Sequence, residues 1–154
     1  MKKTTVMLLI LAILISMVPL IGISAQGGKP IEIVSVQTQD PDGNPKTVFA
    51  RGDTVVVNVT IRSVVGYYYG SVAYLLIVED QAPDYSIPGI AFVTDTIDPG
   101  QEKSVGCGFR LPSDTPTGTH HIYVFVWNGW ISQMGENWRE LADPAEVTIT
   151  VTSG

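Results

Sequence analysis

The sequence predicts an all-β domain, a two-sheet sandwich of about seven or eight strands, preceded by one hydrophobic N-terminal helix. Four observations carry this expectation. After Ile23 no stretch repeats its apolar residues with a helical period. Short β-rich runs are instead punctuated by Gly, Pro and Asp turns at intervals of roughly 8–20 residues, which suits a sandwich. Thr54–Arg62 and Ala145–Val151 alternate apolar with polar residues, as strands with one wet face do. Ser71–Glu79 and Thr119–Trp127 are apolar or aromatic on both faces, and such strands need cover on both sides.

The chain opens with Lys2 and Lys3, followed by Val6–Ile23, an apolar run interrupted only by Ser16, Pro19 and Gly22. Small residues, Ser24 and Ala25, come next, so residues 1–25 read as a secretory signal peptide cut before Gln26. The alternative is a retained membrane anchor: eighteen residues at a helical rise of ~1.5 Å cover about 27 Å, close to a hydrocarbon core. Cleavage leaves residues 26–154, enough for one sandwich-sized domain, as a secreted or cell-surface protein. Losing the two lysines takes the formal charge from −6 to −8. That acidity argues against nucleic acid and anionic membrane surfaces as partners, so the membrane enters only through an uncleaved N-terminus. A single cysteine, Cys107, leaves no internal disulfide.

The strands are expected at Ile31–Thr38, Thr47–Phe49, Thr54–Arg62, Ser71–Glu79, Ala91–Thr96, Lys103–Leu111, Thr119–Trp127 and Ala145–Thr152. Asp40-Pro41-Asp42-Gly43-Asn44-Pro45 reads as a tight loop, Arg51-Gly52-Asp53 as the opening of a strand, and Asp98-Pro99-Gly100 as a reverse turn. Alternation sends Val55, Val57, Val59 and Ile61 to one face, and likewise Val105, Cys107, Phe109 and Leu111. In Thr119–Trp127, Ile122, Val124 and Val126 face the core, leaving His121, Tyr123, Phe125 and Trp127 outward as an aromatic stripe. In Ser71–Glu79 both sets are apolar, and Tyr74 is assigned to the outer face with that stripe. A joint face of this kind exceeds the few hundred square ångströms that monomers commonly expose, so either a partner or long loops must cover it.

The turn run Asp98-Pro99-Gly100, then Leu111-Pro112-Ser113-Asp114-Thr115-Pro116-Thr117-Gly118 leading into an apolar strand, resembles exported immunoglobulin-like domains, among them CARDB-type cell-adhesion sandwiches and fibronectin-III-like modules. Arg51-Gly52-Asp53 ahead of Thr54–Arg62 fits the same pattern, and the resemblance covers most of residues 31–152. It implies an immunoglobulin-like strand order, with the two two-faced strands adjacent in one sheet, and a role in adhesion, scaffolding or spacing. Where such modules place an aromatic two residues after the glycine, this chain has His120.

Loop aromatics supply further candidates. Tyr67, Tyr68 and Tyr69 lie in Val64–Gly70, and Trp130 and Trp138 in Asn128–Ala142; such residues stack on sugar rings, anchor protein contacts, or plug the end of a core. Asn58-Val59-Thr60 is a glycosylation sequon with Asn58 on a polar strand face. Asp40, Asp42 and Asn44 imitate the start of a calcium loop, but Gly43 comes too early and Arg51 stands in place of the bidentate acid, so turn chemistry is expected. Glu79, Asp80, Asp84 and Asp95 could gather oxygens only if the fold brought them together. His120 and His121 point to opposite strand faces and cannot share a metal, and Cys107 lacks the following His or Met of a copper site. No G-x-S-x-G elbow occurs, and alternation puts Cys107 inside. Neither metal nor cofactor is therefore expected, and no enzymatic activity. The sequence favours a non-enzymatic exported subunit that packs against like or unlike surface proteins, in a filament, sheath or adhesive contact. The alternatives are a carbohydrate-binding module using the loop Trp and Tyr residues, and a membrane-anchored accessory subunit.

Overall fold

A computed structural model describes residues 28–154; the predicted leader, residues 1–25, lies outside the described residues. Eight strands are present: β1 (Ile31–Gln39), β2 (Val48–Ala50), β3 (Thr54–Ser63), β4 (Val72–Gln81), β5 (Gly89–Ile97), β6 (Glu102–Arg110), β7 (Gly118–Trp127) and β8 (Ala145–Thr152). Each falls on a predicted run, with ends displaced by at most two residues. They form a three-stranded sheet in the order β1–β3–β6 and a five-stranded sheet in the order β2–β8–β7–β4–β5. Neighbours are antiparallel except β2, which runs parallel to β8. The two-faced strands β4 and β7 are adjacent, as the immunoglobulin-like order requires.

The turns follow their local chemistry. The Asp40 carboxylate accepts from the backbone N–H of Asp42 and Asn44 and from the Asn44 amide, closing the Asp40–Pro45 loop on itself. Between β5 and β6, Gly100 takes φ 72° and Gln101 N–H donates to the Asp98 carbonyl, the type II geometry that Pro-Gly favours.

The inter-sheet core is built from the alternating sets. Val55, Val57, Val59 and Ile61 of β3 meet Ile122, Val124 and Val126 of β7, with Phe109, Ile149, Val151 and Phe49 around them. Cys107 packs against this core from β6, and burial pushes its thiol up to about 11. Tyr74 belongs here too, a correction to its expected outward placement: with Leu76 and Val78 it points into the core, 3% exposed. The register explains why. Val78 stands opposite Val124 and Leu76 opposite Val126, so the β4 residues sharing their face must join the β7 core set. At the β5–β6 border a Cβ on Gly89 would stand 2.1 Å from the Phe109 ring, so glycine is what lets that ring close the edge of the core.

Candidate functional site: the outer face of the five-stranded sheet

With Tyr74 inside, the outer set of β4 is Leu75, Ile77 and Glu79. Trp127, Phe125 and Tyr123 of β7 stand opposite them on one side, and Thr94, Phe92 and Ile90 of β5 on the other. The β7 stripe is continuous: ring centroids are 6.3 Å apart from His121 to Tyr123, 6.3 Å from Tyr123 to Phe125 and 5.7 Å from Phe125 to Trp127. His121 is tied to β8 through Nδ1, 2.5 Å from Glu146.

Leu75 and Ile77 are 1% and 3% exposed although they lie outside the inter-sheet core. The loop after β7 lies over this face. It carries a one-turn helix, α1 (Ile131–Met134), and a 3-10 turn at Gly135–Asn137. Asn128 pins it, donating from its amide to the Asn137 carbonyl and accepting from the Arg139 N–H, while Leu141 N–H donates to Val126. Trp130 meets Phe92 edge-on at 5.0 Å, and Trp138 meets Trp127 edge-on at 5.2 Å. The two loop tryptophans thus cover the outer face and do not plug the inter-sheet core. The buried indole N–H groups of Trp127 and Trp138 have no hydrogen-bond partner among the described residues.

This cover reaches β5 through the edge contact of Trp130 with Phe92 and leaves much of it open. Ile90, Phe92 and, on α1, Ile131 remain 55%, 57% and 55% exposed, around Trp130. At the β3–β4 end Tyr67–Tyr69 form a short 3-10 turn whose three rings stand in solvent, Tyr68 fully. A cleft of about 630 Å³ beside it is lined by Lys29, Tyr69, Ser71, Asn128, Arg139 and Glu140. Asn58 is half-buried on the outer face of the other sheet, opposite Gly106.

A buried pair escaped the sequence reading. Asp80 and His120 are fully buried, with His120 Nδ1 2.9 and 3.1 Å from the Asp80 carboxylate oxygens and Nε2 2.7 Å from the Pro116 carbonyl. A carbonyl only accepts, so Nε2 carries a proton; the Nδ1–carboxyl contact needs one more, on either partner. Burial raises the Asp80 carboxyl, and His120 opposes that shift only in part. The signal was present in the sequence: Asp80 shares parity with Tyr74, Leu76 and Val78, and His120 with Ile122 and Val124. The other acids go separate ways, Asp84 to Ser86 and Asp95 to Lys103. No group of three His, Cys, Asp or Glu side chains is placed to hold a metal among the described residues.

No family model matches the sequence, and no curated protein matches it. Among solved structures the chain resembles the C-terminal domain of Wzt, with a TM-score of 0.64 and 8% identity over 82% of this chain and 75% of that one. It also resembles part of a β-glucuronidase of glycoside hydrolase family 2, with a TM-score of 0.58 and 11% identity over 79% of this chain but 13% of that enzyme. A CARDB domain from Pyrococcus furiosus matches at a TM-score of 0.49 and 15% identity, over 79% of this chain and 85% of that one, too distant to carry argument. These likenesses show the fold alone: a β-sandwich that recurs as a small module.

Proposed function

We propose that the chain is a non-enzymatic, exported surface module that works by contact, through the apolar outer side of its five-stranded sheet at β5 and α1. The observation that carries this reading is the uneven cover of that face. The loop buries Leu75 and Ile77 yet leaves Ile90, Phe92 and Ile131 more than half exposed beside Trp130. An apolar patch of this kind, held on a rigid sheet, fits a protein partner. The expected stripe Tyr123, Phe125 and Trp127 lies beside the patch on the same sheet face, with β4 between them, its rings already packed on one another and half-buried. A non-enzymatic role is supported by the chemistry of the candidate groups. Cys107 has a raised thiol pKa and faces inward, and Asp80 and His120 are sealed from solvent. Export rests on Lys2, Lys3 and Val6–Ile23.

Edman sequencing or intact mass of the product recovered from expressing cells tests export; a chain starting at Gln26 supports it, and an intact Met1 in the membrane fraction favours the anchored alternative. The contact surface is tested by mass in solution for wild type beside Phe92→Asp. Association lost in the variant supports the patch, and association unchanged in the variant refutes it.

A second reading is favoured by Tyr67–Tyr69, which expose three rings beside a polar cleft, an arrangement suited to stacking on sugar rings. Lys29 and Glu140 already pair there at 2.6 Å, so a neutral saccharide fits better than a charged one. Tyr69→Ala would lower retention on a glycan array without changing solution mass; retention unchanged in that variant would end this reading.

A further inference from the structure

The free edge of β5 adds a backbone feature to the exposed patch. Backbone groups of successive residues in an antiparallel strand point alternately to the two sides, with both groups of one residue on the same side. At Thr96 the N–H is taken by the Asp95 carboxylate and the carbonyl by Lys103, so Thr96 points away from β4. Thr94, Phe92 and Ile90 share its parity. Their N–H and C=O groups therefore also point to the open edge, while Val93 and Ala91 bond to β4.

The strand is guarded at one end only. Asp95, on the core-side parity, and its ion-pair partner Lys103 block the Thr96 end with charge, a device that keeps sheet edges from pairing. Two other edges are blunted: β1 carries an irregularity between Ile33 and Ser35, and β2 has three residues; the fourth, β6, carries charge at both ends, Glu102 and Lys103 at one and Arg110 at the other. The Ile90–Thr94 half of β5 has no charge, no proline and no bulge, and its exposed side chains are Ile90, Phe92 and the uncharged Thr94.

We infer that this half-edge pairs with β5 of a second copy of the chain, antiparallel about a twofold axis near Phe92, joining the two five-stranded sheets into one. The strand is its own complement in that arrangement. Phe92 meets the other Phe92 and Ile90 meets Thr94, giving about six backbone hydrogen bonds from the three outward-facing residues of each copy. The absence of charge selects this segment as the contact. Each chain carries a net charge of −6, and Gly89–Thr94 lets two such chains meet without placing like charges opposite each other. With so few residues the dimer is a weak one, below the area of a standard stable interface. This inference rests on the contact reading above and specifies its geometry.

The test is residue-resolved amide exchange on the full chain across a concentration series, read beside solution mass. The amides of Ile90, Phe92 and Thr94 are expected to exchange freely in the monomer and to slow at least about tenfold as mass rises, while Val93 stays protected throughout. Thr94→Pro removes one outward N–H without touching the β4 ladder, so it should keep the fold and lose association. A mass that rises while these three amides stay unprotected would overturn edge pairing and leave packing of the apolar faces standing. A chain monomeric at every concentration would overturn self-association altogether.

Discussion

Removing one member of the Asp80–His120 pair should be among the most damaging single changes in the domain. Asp80→Leu leaves His120 with a buried N–H or lone pair and nothing to meet it, inside a core where neither side chain touches solvent. Breaking a buried, hydrogen-bonded pair from one side typically costs about 3–5 kcal/mol, because the surviving group keeps its desolvation penalty. For a domain of this size each kcal/mol is worth roughly 3–5 °C, so the midpoint should fall by about 10–20 °C. His120→Phe should cost a similar amount by stranding the Asp80 carboxyl and the Pro116 carbonyl. The double variant Asp80→Leu, His120→Phe removes both polar groups and should lose less than the two single losses added, by at least about 2 kcal/mol. Urea unfolding of all four proteins at pH 6 supplies the cycle. Additive losses, or single losses below about 1 kcal/mol, would refute the argument that these groups satisfy one another.

The same pair sets one limb of the pH profile. Burial raises the Asp80 carboxyl, so its contribution is complete below the ordinary carboxylate range, about 4, and is lost as pH rises from there through the raised value. On the other limb, Asp40, Asp53, Asp84 and Asp95 are lowered by side-chain hydrogen bonds from Asn44, Lys46, Ser86 and Lys103. Their contributions are present above the ordinary carboxylate range and lost as pH falls through and below about 4. Thermal midpoints should therefore rise from about pH 2 to about pH 5 and gain nothing further in neutral solution; a midpoint still rising between about pH 6 and 8 would contradict this balance of shifts. Gly89→Ala should cost about 1–3 kcal/mol by urea unfolding through collision with the Phe109 ring, and Phe109→Leu should recover part of that loss. Trp138→Ala uncovers Trp127 at the end of the outer face; about 2 kcal/mol of lost stability and a rise in dye binding are expected. Since each copy is acidic, raising salt from about 0.05 to 0.5 M should strengthen self-association, and weakening would point to ion pairs at the contact.

The strands were legible because alternation and turn chemistry are local. Val55 to Ile61 and Val147 to Val151 declare their faces without reference to any other strand. The separation of His120 from His121 was legible for the same reason: one is buried against Asp80 and the other lies beside Glu146. Tyr74 was not legible. Both faces of β4 are apolar, so its facing is decided by register with β7, which depends on residues some fifty positions away. The cover over Leu75 and Ile77 was likewise hidden, because it depends on Trp130 and Trp138 turning back over the sheet through the Asn128 hydrogen bonds. Asp80 was misplaced because β4 runs on to Gln81, two residues past its expected end. That extension carries the acid inside the sandwich.

The central claim is that the β5–α1 patch is a contact surface, and sedimentation of the full chain over a hundredfold concentration range beside Phe92→Asp addresses it most directly. The account predicts that wild-type mass rises with concentration while the variant, which keeps its fold because Phe92 is more than half exposed and gives up only its edge contact with Trp130, stays monomeric. A wild type monomeric throughout, or a variant that associates just as strongly, would contradict it.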